Sequence, residues 1–140
     1  KDSRHRIIVA DRHFAICQGL EMLLSLDPEL TVVGKAHHWN EFRDQVGANQ
    51  PDLVIVGDCL QDVDGVAVCE ALHAAFPAVY MVFLTDRVSV ERLADVLLAG
   101  ASGTRAFSND FDLLVSSLRK MLAGELVLSR EAAAELRAHP

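Results

Sequence analysis

The sequence predicts a doubly wound α/β sandwich. Apolar runs of strand length alternate five times with amphipathic stretches of helix length. Three of the apolar runs are hydrophobic on both faces, as parallel strands covered by helices on either side must be. The prolines punctuate this alternation: Asp27-Pro28, Gln50-Pro51 and Phe76-Pro77 each close a helical stretch just ahead of a strand. The residue before a proline is pushed away from helical backbone geometry. Five βα units in a row imply this architecture rather than a segregated α+β arrangement.

In chain order, the first strand is Arg6–Ala10 (RIIVA) and the first helix Phe14–Leu26, where Ile16, Leu20, Leu23 and Leu24 fall on one face at helical spacing. Leu30–Gly34 (LTVVG) and Trp39–Ala48 form the second unit, Asp52–Gly57 (DLVIVG) and Gly65–Phe76 the third, Val79–Leu84 (VYMVFL) and Val88–Ala99 the fourth. Gly103–Phe107 (GTRAF) and Asp110–Ala123 complete the set, the last helix carrying Leu113, Leu114, Leu118, Met121 and Leu122 on one face. A sixth helical stretch begins at Ser129, with a capping hydroxyl and Glu131 in its first turn, and reads as a linker leaving the compact domain. Residues 1–124 are therefore expected to form one domain and 125–140 its exit helix.

Length and composition narrow the function. A chain of 140 residues with 51% hydrophobic and 24% charged residues suits a single domain with one core. No apolar run approaches the roughly 18 residues of a membrane helix, and no signal-peptide pattern is present. Cys17, Cys59 and Cys69 are too few and too scattered for a disulfide framework or a paired-cysteine metal site, so a reducing, cytoplasmic setting is expected. A formal net charge of −7 argues against this segment gripping nucleic acid by itself.

Ligands of such sheets collect beyond the carboxyl ends of the strands. That edge holds Asp11, Arg12, Gly57, Asp58, Thr85, Asp86 and Phe107. A mononucleotide site would want a glycine-rich turn after the first strand, but no glycine follows until Gly19. The most acidic turn lies in "DLVIVGDCLQDVDG", where Asp58, Asp62 and Asp64 crowd together after a strand whose last residue is Gly57.

These residues are where the chain resembles a known family. "HRIIVADRH", "DPELTVVGKA", "PDLVIVGDCLQDVDG", "FPAVYMVFLT" and "LAGASGTRAFSND" follow one another as in the receiver domain of bacterial response regulators. The likeness is nearest to the NarL/FixJ subfamily, which carries a LuxR-type DNA-binding output domain, and it covers nearly the whole chain. It implies a flavodoxin-like parallel sheet of order 2-1-3-4-5 flanked by five helices. It also implies five working side chains: two acids after the first strand that help hold Mg²⁺, an aspartate ending the third strand that accepts a phosphoryl group, a hydroxyl ending the fourth, and a lysine ending the fifth. Metal and lysine neutralise charge on the transferring group, where most catalysis of phosphoryl transfer resides.

Only part of that set is present. Asp11 matches the first acid and Thr85 the hydroxyl, whereas Arg12 stands at the second acid, Phe107 at the lysine, and Thr104 at the aromatic switch position of the fifth strand. In the family pattern the acceptor follows the Asp of "PD" by five residues and precedes the Asp of "DG" by seven; counted from Asp52 and from Asp64, both land on Gly57. Making Asp58 the acceptor needs a one-residue slip, which turns a strand side chain to the opposite face unless a bulge intervenes. The acceptor is thus expected to be missing. Mg²⁺ wants octahedral oxygen ligands, so neither a metal nor another cofactor is expected. Arg12 either replaces the ion by pairing with Asp11 or points into water.

Other residues read as structural. His37-His38-Trp39 fits a helix entrance with the Trp partly packed better than a metal site. Cys59 has no basic neighbour in sequence to lower its pKa, while Cys17 and Cys69 belong to apolar helix faces. His13 reads as turn surface, and Glu91-Arg92 and Arg119-Lys120 as solvated helix charges unless a subunit interface uses them, position alone placing Arg119 or Lys120 near one. No nucleophile paired with a base stands at the strand ends, which argues against an enzyme.

The expected function is that of a degenerate, phosphorylation-independent receiver. It would set dimerisation and present a DNA-binding helix-turn-helix beyond Pro140, contacting DNA only through that domain. A homodimer is expected, through the fourth helix, fifth strand and fifth helix, or through the fifth helix against the first. Two alternatives stand beside it: a small molecule in the vacated pocket near Gly57, Asp11 and Thr85, or a free-standing protein-interaction module. No membrane partner is expected.

Overall fold

The structure is a computed structural model that describes residues 4–57, 59–85 and 103–106, together with Asp95, Leu98, Ser116, Arg119 and Lys120. The described elements are β1 (His5–Ala10), α1 (Phe14–Leu24), β2 (Leu30–Ala36), α2 (Trp39–Asn49), β3 (Leu53–Val56), α3 (Gly65–Ala75), β4 (Tyr80–Thr85) and β5 (Gly103–Ala106). All strand pairings are parallel, and the sheet order is β2-β1-β3-β4-β5, as expected. Asp95 and Leu98 are helical within the expected fourth helix, and Ser116, Arg119 and Lys120 within the fifth. The expected exit helix lies outside the described residues.

The double-sided apolar strands divide their side chains between two cores. Ile8, Ala10, Val54, Val56, Met81 and Phe83 face Phe42 and Val46 of α2 and Val68, Cys69 and Leu72 of α3. Ile7, Val9, Leu53, Ile55, Val82 and Leu84 face the other way, toward Cys17 and Leu24 of α1. Every residue of β3 is buried, which explains a run with no polar alternation. Cys17 and Cys69 are fully buried, in keeping with their apolar surroundings in sequence.

Several element ends differ from expectation. α1 stops at Leu24, where the Ser25 hydroxyl donates back to the carbonyls of Glu21 and Met22, so the helix ends ahead of its proline. β2 runs on to Ala36 because a bulge skips one residue: Ile7 pairs with Val32 and Ile8 with Gly34. α2 ends in Gln50 at φ 47°, the one non-glycine in left-handed conformation among the described residues. β3 closes at Val56, one residue short of Gly57, and β4 is shifted by one to Tyr80–Thr85.

Arg119 corrects its reading as a solvated charge. Its guanidinium reaches across the fold to the buried Asp27, 2.6 Å away, and to Glu29 at 3.5 Å. Asp27 also accepts the Glu29 backbone N–H at 2.8 Å. That bond first, and Arg119 second, hold the Asp27 carboxyl below the ordinary carboxylate range. The contact lies 92 residues apart in sequence, out of reach of any local pattern.

Candidate functional site: the strand edge at Asp11 and Gly57

Asp11 and Gly57 stand side by side at the carboxyl edge of the sheet. The Gly57 N–H donates to the Ala10 carbonyl at 2.9 Å and the Asp11 N–H to the Ala36 carbonyl at 3.1 Å, which extends the β3-β1-β2 ladder to both. Both residues are buried, Asp11 being only 4% exposed. A Cβ built on Gly57 would collide with Asp11 Oδ2 and lie 2.8 Å from its Cγ. The Asp11 carboxylate therefore occupies the space where a side chain at position 57 would begin. The space assigned above to a small molecule is, at Gly57 itself, held by Asp11.

Asp11 is anchored by His13. Its Oδ1 accepts the His13 backbone N–H at 2.7 Å and sits 2.9 Å from His13 Nδ1. The first of these bonds is an Asx turn, and it leads into α1, whose N-cap position is His13. The His13 ring is about half exposed, so the reading of turn surface is right for its position but omits its hold on Asp11. The signal was the spacing of two from an acid, which an Asx turn requires.

Arg12 is exposed, and its described side-chain contact is Nη1 to Cys59 Sγ at 3.8 Å, while its N–H donates to the Cys59 carbonyl at 3.1 Å. Among the described residues the side-chain partner seen for Asp11 is His13. Cys59 thus acquires a basic neighbour from another strand end, correcting a reading made from sequence neighbours alone.

The loop after Gly57 is tied down by its acids. Asp62 accepts the Trp39 N–H at 3.0 Å and so caps α2, whose own N-cap residue, His38, makes no side-chain bond. Asp64 is the N-cap of α3 and accepts the Val66 N–H at 3.0 Å. Two of the three acids that crowd this turn are therefore helix caps. Asp58 and Phe107 lie outside the described residues; Thr85 ends β4, paired with Ala106, and Thr104 lies in β5, paired with Phe83.

His37 closes the back of the site. Its Nδ1 is 2.8 Å from the Asp11 carbonyl and 4.0 Å from Cys17 Sγ, and its ring lies 3.9 Å from that of Phe14. Burial first, then the Asp11 charge, pushes the Cys17 thiol up to about 11, so it stays protonated and inert. Trp39 packs edge-on against Phe42, as a helix entrance should. The residues described at this edge do not suit Mg²⁺: the buried Asp11 carboxylate already takes two contacts from His13 on one oxygen, and its sequence neighbour is Arg12. Among the described residues no group of three or more His, Cys, Asp or Glu could hold a metal.

The fold and the strand-edge arrangement define a receiver. Residues 7–119 match the response regulator receiver domain model, and the chain belongs to that family. Among curated proteins it is 34% identical over 133 residues to the DNA-binding transcriptional activator DevR/DosR of Mycobacterium tuberculosis, covering 95% of this chain and 61% of that protein. It is 26% identical to the nitrate/nitrite response regulator NarL of Escherichia coli K12, over 95% of this chain and 63% of the relative. The chain thus spans about three fifths of these relatives. Among solved structures, a LuxR-family two-component response regulator from Aurantimonas superposes with a TM-score of 0.90 at 25% identity, over 97% of both chains.

Proposed function

We propose that this chain is the regulatory receiver domain of a transcription factor that works without aspartyl phosphorylation, residues 1–124 forming the receiver and 125–140 the exit toward a DNA-binding domain. One observation supports the reading: Gly57, where the count along the chain puts the acceptor, has no side chain, and the carboxylate of Asp11 fills the space where one would start. A receiver in this state presents one fixed surface, so its contribution is constitutive, setting dimerisation and the placement of the output domain. The likeness to a DNA-binding transcriptional activator supports the transcriptional part.

The test is chemical. Incubation with acetyl phosphate and Mg²⁺, followed by intact-mass spectrometry, is expected to show no added phosphoryl mass; a labile adduct mapped to Asp58 overturns the reading. The reading frame beyond Pro140 tests the rest, since a helix-turn-helix supports a transcription factor and a stop codon supports a free-standing interaction module.

A further inference from the structure

A second concave site lies at the opposite edge of the sheet, where the strands begin. It is a cleft of about 480 Å³ between the end of α2, the start of β3 and the α3–β4 turn, within the size range of small-molecule sites. We propose that this cleft binds a small aromatic amine, ring inward and ammonium against Asp52.

The walls favour a flat apolar body. Val46 forms a buried floor, Phe76 and Tyr80 are half-buried, and Pro51 and Pro77 stiffen the rim. Gly47 leaves its side of the cleft open, since an added Cβ there would only touch the Phe76 ring at 3.8 Å. Tyr and Phe faces also attract cations.

The polar end favours a cation. Asp52 is locked in place: its N–H donates to the Arg6 carbonyl at 2.9 Å, its carbonyl accepts the Tyr80 N–H at 3.2 Å, and its Oδ2 accepts the Arg6 N–H at 2.8 Å. The carboxylate is exposed and points from a fixed backbone, so little ordering is required on binding. The C-terminal ends of α2 and α3 both reach this edge, and the negative ends of their dipoles favour a cation there. The edge already holds one guanidinium: Arg6 donates to the Asn49 carbonyl at 3.2 and 2.9 Å, outside the cleft wall. His5 at the rim offers a further hydrogen-bonding atom. The net charge of −7 draws cations and repels carboxylates of the same size.

The proposal is independent of the phosphorylation reading, because it concerns the other edge of the sheet. Titration of this chain with 2-phenylethylamine and with 3-phenylpropionate, followed by amide resonances, separates ring from charge. The amine is expected to bind at least tenfold tighter, with shifts centred on Gly47, Asp52 and Ala78. Asp52→Asn, which keeps an acceptor for the Arg6 N–H, is expected to erase that preference. Ala78→Trp, at an exposed wall position outside the core, is expected to weaken the amine at least tenfold. Equal binding of the two compounds, or amine binding unaffected by either substitution, overturns the proposal, as does no binding of either at millimolar concentration.

Discussion

Replacing Gly57 by alanine places a methyl group against Asp11 Oδ2, so the buried carboxylate must shift while His13 holds its other oxygen. Overpacking of this kind costs about 1–3 kcal/mol, read as a lower denaturant midpoint. In an Asp11→Ala background the same change is expected to cost about 1 kcal/mol less, because the conflicting carboxylate is gone. Gly57→Asp alone is accordingly expected to leave the protein unlabelled by acetyl phosphate, since the new side chain and Asp11 compete for one space. Gly57→Asp with Arg12→Asp is expected to improve Mg²⁺ binding by calorimetry while leaving phosphoryl transfer impaired by Phe107. The thiols make a further contrast at this scale. With Cys17 raised to about 11 and fully buried, and Cys69 also buried, iodoacetamide at pH 8 is expected to modify Cys59 alone of these three in the native protein.

At the scale of elements, the α1–β2 turn is fastened by Asp27. A carboxyl held below its unfolded pKa of about 3.9 stabilises the fold above that pH, and the contribution fades as pH falls through the lowered value. Arg119→Met is therefore expected to lower the melting temperature at pH 6, with the gap to the wild type narrowing as pH falls below the ordinary carboxylate pKa of about 3.9. Part of the Asp27 effect survives this substitution, because the Glu29 N–H bond is its larger cause. α2 offers the opposite case. Gln50 ends it in left-handed backbone, where a Cβ is unfavourable. Gln50→Gly is expected to stabilise by about 0.5–1 kcal/mol, the relief of the Cβ outweighing the greater freedom of glycine in the unfolded chain.

For the whole molecule, the open question is assembly. The proposed constitutive output needs a twofold partner, because paired half-sites on DNA mirror protein symmetry. Sedimentation velocity at micromolar concentration is expected to show a homodimer of this chain with or without acetyl phosphate; a monomer at all concentrations overturns that expectation. Arg119, which position alone placed near such an interface, is engaged by Asp27 and Glu29 of its own chain. A charge reversal at Lys120, exposed on the same stretch of helix, is the better probe of that face.

The fold was legible because its determinants are local and repeated. β3 and β4 are apolar without alternation, prolines close three helical stretches just ahead of strands, and each βα unit restates the same pattern, so period and punctuation sufficed for the architecture. That Gly57 leaves a gap at the carboxyl edge of the sheet was legible too, because it ends the apolar run that starts at Asp52. The tertiary structure alone decided what fills the gap. That Asp11 stands against Gly57, that His13 holds it, that Arg12 turns to Cys59, that Asp62 caps a helix on which it does not lie, and that Arg119 reaches Asp27 are all contacts between strand ends, loops and helices distant in sequence or turned by a particular rotamer. Spacing fixes which residues share an edge of the sheet; only packing in three dimensions selects which neighbour a flexible polar side chain meets there.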